Sequence, residues 1–284
     1  MNPSGTTKLI CLLGNPVKHS ISPAMHNLAF ETLGLDYSYM AFQISEDNIA
    51  DAVNALKLFN CRGFNLTMPL KKAIIPFLDE ISEAARLSQS VNTCVFEDGK
   101  LIGHTTDGIG FMQAMTDSGI EYRERTITIL GAGGAATSII TQAAIDGVSK
   151  INIFKRKNAS YTRIVDFADK ITKATGCAVF VFDITDMTTL EFCLQESDIL
   201  INATNVGMGE DDTSLVPKEF LYKDLIVTDV IYHPEYTKLL QDASSIGCKI
   251  MNGKYMLLFQ GAAAFKIWTD MEMPIQLEKD RYFN

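Results

Sequence analysis

Two titratable side chains in the first half of the sequence, Lys71 and Asp107, are the strongest candidates for acid–base chemistry. Each follows the end of a predicted strand or turn. A lysine held by a carboxylate stays charged and can pass a proton to an oxygen that becomes negative during hydride transfer. Taken singly, Lys71 can also be interpreted as a solvated lysine and Asp107 as the N-cap of a helix. The two residues are therefore expected to act as a pair.

A glycine turn in the second half indicates a dinucleotide site. Gly131, Gly133 and Ala136 fit the pattern G-x-G-x-x-G/A, after a β-branched run and before a helix-like run. Glycine allows the tight turn and lets phosphate oxygens reach backbone N–H groups at the helix N-terminus. An ordinary tight β–α turn is the alternative. The residues expected at the pyrophosphate are Gly131, Ala132, Gly133, Gly134 and Ala135.

Uncharged polar residues at predicted strand ends and helix starts suit a polyhydroxylated substrate. Alternatively, Ser22 caps a helix and Gln260 lies on a solvated helix face. We expect the group to line a cleft between two α/β halves. Its members are Ser20, Ser22, Asn65, Thr67, Asn92 and Gln260.

Composition excludes several classes of partner. The 284 residues include 25 basic and 34 acidic side chains, so the net charge of −9 provides no basic field for nucleic acid or anionic membrane. Six cysteines without a C-x-x-C pair and four histidines without H-E-x-x-H spacing predict reduced thiols and no metal site. The apolar run near the start is too short for a signal peptide or a membrane span. We expect a cytoplasmic protein that binds neither nucleic acid nor membrane.

The apolar pattern predicts the elements that carry these residues. In the first half, strands and helices alternate, Ser22 caps a helix that has proline at its first position, and Asp98-Gly99 forms a hairpin turn. In the second half, six strands alternate with helices, which predicts a doubly wound parallel sheet. The predicted strands of that sheet cover 126–130, 151–154, 178–182, 199–202, 225–230 and 249–251.

The expected fold class is therefore α/β, with an N-terminal α/β substrate domain and a C-terminal Rossmann-type doubly wound parallel sheet. The predicted boundaries are 1–108 for the substrate and catalytic domain and 109–254 for the dinucleotide domain. The last long apolar run predicts a helix with no strand after it. We expect residues 255–284 to pack back on the first domain.

Together the motifs resemble the shikimate dehydrogenase family over nearly the whole chain. The S-x-S-P start, the T-x-P-x-K element and the T-D-G element are in combination more specific than the glycine turn. Three further segments, 39–42, 206–208 and 265–269, resemble more closely the quinate/shikimate dehydrogenase branch. The segments that carry the main resemblance are 14–23, 65–71, 90–93, 106–108, 131–136 and 256–262.

The resemblance implies reversible oxidation of the ring hydroxyl of shikimate, with quinate as a second candidate substrate, in aromatic amino acid biosynthesis. It makes Lys71 and Asp107 the catalytic pair and leaves open which of them donates the proton. It implies that Ser20 or Ser22, near Tyr39, binds the substrate carboxylate. Ring hydroxyls are assigned to Thr67, Asn92 and Gln260, and further cofactor contacts to Asn205, Val230 and Gly253. A homodimer is left open.

The end of the second Rossmann strand departs from the family pattern. The family tends to have N-R-T or N-R-R-D there, whereas this chain has Lys155, Arg156, Lys157 and Asn158. Loss of a carboxylate removes a reason to reject a 2′-phosphate, and three positive side chains favour one. We therefore expect NADP with NAD binding as well, and a solvated basic cluster is the alternative. Tyr255 stands where the family usually has glycine.

Two other functions compete with this prediction. A non-catalytic dinucleotide-binding regulatory module would retain the Rossmann half, and the Lys71–Asp107 pair argues against it. A different Rossmann dehydrogenase with a small N-terminal domain, of the methylenetetrahydrofolate dehydrogenase type, leaves the S-x-S-P element without explanation.

Overall fold

The computed structural model describes residues 3–283. The chain forms two compact units: unit 1 comprises the residues up to Gly110 together with those from Leu258 onward, and unit 2 comprises Phe111–Leu257. Within residues 3–283, no helix has both the length and the apolar character needed to cross a membrane.

Unit 1 is built on a mixed sheet of six strands: β1 (Lys8–Gly14), β2 (Tyr37–Gln43), β3 (Gly63–Leu66), β4 (Glu80–Ile81), β5 (Thr93–Glu97) and β6 (Lys100–His104). Their order is β2-β1-β3-β5-β6-β4. Strands β1, β2 and β3 are parallel, whereas β5 runs antiparallel to β3 and β6. Asp98 and Gly99, with φ of 49° and 77°, form the turn between β5 and β6, which confirms the predicted hairpin.

The α-helices in the N-terminal part of unit 1 are α1 (Ser22–Thr32), α2 (Ile49–Leu58), α3 (Leu70–Ala73), α4 (Glu83–Ser88) and α5 (Asp107–Asp117), the last of which crosses into unit 2. Ile21 holds the N-cap position of α1, and no side chain caps that helix. The prediction that Ser22 caps α1 is therefore wrong. Ser22 is already the first helical residue, and its hydroxyl bonds to Tyr39 instead.

Unit 2 is a fully parallel sheet of six strands: β7 (Thr126–Leu130), β8 (Lys150–Lys155), β9 (Ala178–Asp183), β10 (Ile199–Asn202), β11 (Ile226–Asp229) and β12 (Ile250–Met251). The order β12-β11-β10-β7-β8-β9 confirms the predicted doubly wound sheet. The strand order reverses at β7, so the glycine turn after β7 lies at the switch point where such sheets bind ligands. The helices between the strands are α6 (Gly134–Ile145), α7 (Tyr161–Thr175), α8 (Met187–Gln195) and α9 (Lys238–Ile246).

Two final helices, α10 (Lys254–Thr269) and α11 (Ile275–Glu278), follow β12. The end of α10 is fixed on the sheet of unit 1, because Trp268 Nε1 donates to Cys94 O at 2.9 Å and Arg62 Nε donates to Trp268 O at 2.8 Å. Closer to its start, α10 lies against α5. A Cβ at Gly110 would come within 2.4 Å of Gln260 N, so glycine at 110 allows Gln260 to approach the beginning of α5.

Candidate active site

The Lys71–Asp107 pair is formed in the structure. Lys71 Nζ lies 2.5 Å from Asp107 Oδ2, and the two side chains are 22% and 8% exposed. Val91 N donates to Lys71 O at 2.9 Å and so anchors α3 beside β5. Helix α5 begins at Asp107 itself, and the carboxylate bonds to Lys71 and Asn92. The lysine therefore combines a fixed position with partial access to a ligand.

Asn92 is the buried centre of the site. Its Nδ2 group donates to Asp107 Oδ1 at 2.9 Å and to Gln260 Oε1 at 3.3 Å, and its Oδ1 accepts from Thr106 N at 2.7 Å. These bonds tie the start of β5, the start of α5 and the middle of α10 to one side chain. Asn92 therefore sets the orientation of the carboxylate that holds Lys71.

A second group of polar side chains surrounds Tyr39. The hydroxyl of Tyr39 donates to Asn65 Oδ1 at 2.8 Å and also bonds to Ser22, whose backbone N–H donates to Ser20 Oγ at 3.3 Å. Burial raises the pKa of Tyr39 well above its usual value, so the phenol stays neutral. Asn65 Nδ2 donates to Asn92 O at 3.0 Å, which joins this group to the Lys71–Asp107 pair.

Thr67 follows β3 and is half-buried. Its backbone N–H donates to Leu13 O at 2.9 Å, and a Cβ at Gly14 would lie 2.2 Å from its methyl carbon. Glycine at the end of β1 thus leaves room for Thr67. The residues that these hydrogen bonds connect are Ser20, Ser22, Tyr39, Asn65, Asn92, Gln260, Asp107 and Lys71.

Thr106 is not among the predicted site residues, yet its N–H and its hydroxyl both bond to Asn92. Its place directly before Asp107 was the available signal. Within residues 3–283, no cluster of three or more His, Cys, Asp or Glu side chains could hold a metal ion.

The glycine turn of unit 2 has the geometry of a phosphate cradle. Gly131 has φ of +102°, and a Cβ there would lie 2.9 Å from Ala203 O. Gly133 is the N-cap of α6, no side chain caps that helix, and a Cβ at Gly133 would meet nothing within 4 Å. Ala132 is half-buried in the turn, and Gly134 and Ala135 open the helix. The space and the uncapped helix N-terminus fit a pyrophosphate.

The basic residues after β8 are placed differently from one another. Arg156 and Lys157 are exposed, whereas Lys155 is only 7% exposed. Lys155 Nζ and the exposed Asn158 bond to each other at 3.0 Å. The structure thus presents two of the three cations to solvent and directs the third into the loop.

The remaining predicted cofactor residues follow β10, β11 and β12, the last three strands along the chain. Asn205 is exposed in the loop after β10, and Val230 directly follows β11. Gly253 follows β12, where a Cβ would lie 1.9 Å from Val230 O. The three therefore share the carboxyl edge of the parallel sheet with the glycine turn.

Asp229, which sequence reasoning placed inside a strand, is a buried hub at the same edge. It accepts hydrogen bonds from Ile231 N at 2.9 Å, Asn202 Nδ2 at 3.1 Å and Thr237 Oγ1 at 2.8 Å. Burial raises the pKa of Asp229 to about 6 despite these bonds. The carboxylate joins the end of β10 to the loop after β11.

A parallel sheet with an open glycine turn and, in unit 1, a lysine–aspartate pair among uncharged polar groups define a nicotinamide-dependent dehydrogenase with a separate substrate unit. Residues 12–94 match the shikimate dehydrogenase substrate binding domain, and residues 255–277 match the shikimate 5′-dehydrogenase C-terminal domain. A curated relative, shikimate dehydrogenase (NADP(+)) of Listeria monocytogenes serotype 4b (strain F2365), is 46% identical over 99% of this chain and 97% of its own. The chain belongs to the shikimate dehydrogenase family.

Solved structures agree with this assignment. A shikimate 5-dehydrogenase from Listeria monocytogenes, in complex with shikimate and NAD, has a TM-score of 0.95 at 45% identity and covers 99% of this chain and 98% of that chain. A quinate dehydrogenase from Corynebacterium glutamicum, in complex with NAD, has a TM-score of 0.85 at 28% identity and covers 96% and 98%. The similarity thus extends over both units and reaches the quinate branch at lower identity.

Proposed function

We propose that the chain catalyses the reversible oxidation of the ring hydroxyl of shikimate to the ketone of 3-dehydroshikimate, with NADP+ as the preferred hydride acceptor. The observation that carries the proposal is the 2.5 Å pair of Lys71 and Asp107, fixed by Asn92. Membership of the family supports the same reaction, since a curated relative at 46% identity is named shikimate dehydrogenase (NADP(+)).

Lys71 is assigned the proton transfer. In ketone reduction its ammonium group donates a proton to the oxygen as that oxygen becomes an alkoxide, and in oxidation the amine accepts the hydroxyl proton. Asp107 Oδ2 orients Lys71 Nζ, while Asn92 holds the other carboxylate oxygen. If Asp107 exchanged the proton instead, Asp107→Asn would lower kcat more than Lys71→Met does.

The uncharged groups suit a substrate with one carboxylate and several hydroxyls. Ser20 and Ser22 are proposed to bind the carboxylate, and Tyr39 positions Ser22 through the bond between their hydroxyls. Thr67, Asn92 and Gln260 are proposed to bind ring hydroxyls; Asn92 Nδ2 already lies 3.3 Å from Gln260 Oε1. Neutral donors and acceptors can each bond a hydroxyl without placing an unpaired charge in the site.

The edge of the unit 2 sheet fits the cofactor because the glycine turn leaves the N-terminus of α6 open. When bound, NADP+ supplies the acceptor for the hydride. Residues 131–135 would hold the pyrophosphate, Arg156 and Lys157 the adenosine phosphate, and Asn205, Val230 and Gly253 the remaining length of the cofactor.

The test is to measure kcat/KM at 340 nm for shikimate and for quinate, each with NADP+ and with NAD+. We expect the highest value for shikimate with NADP+. A rate with quinate that equals it would place the chain functionally in the quinate branch. No rate in any pairing, with dinucleotide binding intact, would favour a regulatory module.

We also infer that the protein works in the cytoplasm, because its six cysteines are unpaired and buried, as reducing compartments allow. A homodimer stays a prediction that light scattering on the purified protein would test.

A further inference from the structure

Lys155, the last residue of β8, is enclosed by the loop that follows it. Its Nζ donates to Arg156 O at 3.0 Å, to Asn158 Oδ1 at 3.0 Å and to Ser160 Oγ at 3.1 Å. A lysine ammonium has three N–H donors, so these bonds use its full capacity. Lys155 is therefore arranged to hold the loop and has no donor directed at a ligand.

The loop residues are also bonded to one another. Asn158 Oδ1 accepts from Ser160 N at 3.1 Å and from Ser160 Oγ at 2.8 Å, and Asn158 N donates to Arg156 O at 3.0 Å. The ring of Tyr161, at the start of α7, lies 5.3 Å from Lys155 Nζ. The ammonium group thus bonds to three residues of the loop between β8 and α7 and lies beside the first residue of α7.

The charges around Lys155 favour an anion nearby. Burial, and then the neighbouring Arg163 and Arg156, lower the pKa of Lys155. Asp183 on β9 pairs with Lys155 on β8 in the sheet, and its carboxylate already accepts a hydrogen bond from Thr185 N at 3.1 Å. A phosphate beside the exposed Arg156 would offset the repulsion among these cations.

We propose that Lys155 is a positioning residue for recognition of the adenosine 2′-phosphate: it fixes the loop 156–160 so that Arg156 and Lys157 meet the phosphate, and it does not bind the phosphate itself. The end of the strand that follows the glycine turn is where such sheets discriminate the 2′-substituent. This inference rests on the proposed function, because it assumes that a dinucleotide occupies the carboxyl edge of the unit 2 sheet.

The test compares the wild type with Lys155→Met, using 2′,5′-ADP and AMP as probes in isothermal titration calorimetry. We expect the Kd for 2′,5′-ADP to rise about tenfold and the Kd for AMP to change about twofold or less, because only 2′,5′-ADP carries the phosphate that the fixed loop recognises. Lys170→Met is the matched control, since it removes the same charge from the exposed face of α7. The control should bind both probes as the wild type does.

A double-mutant cycle separates positioning from direct contact. Asn158→Ala with Ser160→Ala removes the two side-chain acceptors and keeps the ammonium, so it should weaken the binding of 2′,5′-ADP by a similar factor. Adding Lys155→Met should then cause little further loss, because both changes break the same contacts. The proposal would be overturned if the fold-losses in 2′,5′-ADP affinity of Lys155→Met and of the double variant multiplied when combined. Unchanged 2′,5′-ADP binding in Lys155→Met would also overturn it.

The outcome is independent of the proposed chemistry. If the wild type binds 2′,5′-ADP no more tightly than AMP, the inference about Lys155 is wrong. If that wild type still oxidises shikimate with NAD+, the proposed dehydrogenase function is unaffected. Conversely, correct nucleotide binding without oxidation of shikimate would overturn the proposed function alone.

Discussion

Glu278, at the end of α11, is a fully buried carboxyl group, and neither of its oxygens has a hydrogen-bond partner among the described residues. Burial raises the pKa of Glu278 from 4.5 to about 7. Between these values the folded chain keeps a proton that the unfolded chain has lost. The contribution of Glu278 to stability therefore falls as the pH rises from about 4.5 to about 7, and it stays low above that range.

Glu278→Gln removes the charge and keeps the shape, so the variant should be more stable than the wild type at neutral pH. Integrating the proton linkage with a pKa of about 7 in the folded chain gives an advantage of about 1 kcal/mol at pH 5.5 and about 3 kcal/mol at pH 8. The range begins at pH 5.5 to stay above the isoelectric point near 5.0.

Urea unfolding followed by tryptophan fluorescence measures the stability of unit 1, to which Glu278 belongs. Trp268 is the one tryptophan of the sequence, is 1% exposed, and lies with Glu278 in unit 1. Glu46→Gln, at an exposed position, is the matched control and should stay within about 0.5 kcal/mol of the wild type at every pH. An advantage of Glu278→Gln that does not grow with pH would refute the reasoning.

Three further predictions concern unit 2. Thr237→Val removes the 2.8 Å bond to Asp229 and should cost about 2 kcal/mol of stability at pH 8 but less below pH 6, where Asp229 is protonated; equal costs in urea unfolding at both pH values would contradict this. Arg156→Ala should raise the Kd for NADP+ more than that for NAD+ in fluorescence titration, and equal increases would mean that Arg156 does not contact the 2′-phosphate. Gly253→Ala places a Cβ 1.9 Å from Val230 O and should lower the melting temperature by several degrees; an unchanged value would contradict the close approach.

The parallel sheet of unit 2 was predictable because its strands are short apolar runs separated by turn residues, and the β7 boundaries agree with the prediction. The two-residue strand β4 was not, since Glu80–Ile81 has no periodicity to detect. Strand β11 ends at Asp229, one residue before the predicted Val230. Because of that difference of one residue, the role of Asp229 as a buried hub was not predicted. A carboxylate at a strand end can bond to the loop that follows, whereas one inside a strand has other neighbours.

Residue types indicated the candidate site, but tertiary contacts decide what each side chain does. Ser22 had the sequence of a cap, and its hydroxyl instead bonds to Tyr39, which is distant in the chain. Lys155 was expected to favour a 2′-phosphate together with Arg156 and Lys157, and its amine is instead bonded to three uncharged acceptors of the loop. Burial of a lysine depends on how the following loop folds, which local sequence does not specify.

The central claim is that Lys71 transfers the proton, and shikimate oxidation by Lys71→Ala with NADP+ at 340 nm tests it most directly. Lys72→Ala, the next lysine on α3, is the matched control. We predict that kcat of Lys71→Ala falls by about 10²- to 10⁴-fold while the Kd for NADP+ is unchanged, and that Lys72→Ala retains the wild-type rate. Comparable rates for Lys71→Ala and the wild type would contradict the claim.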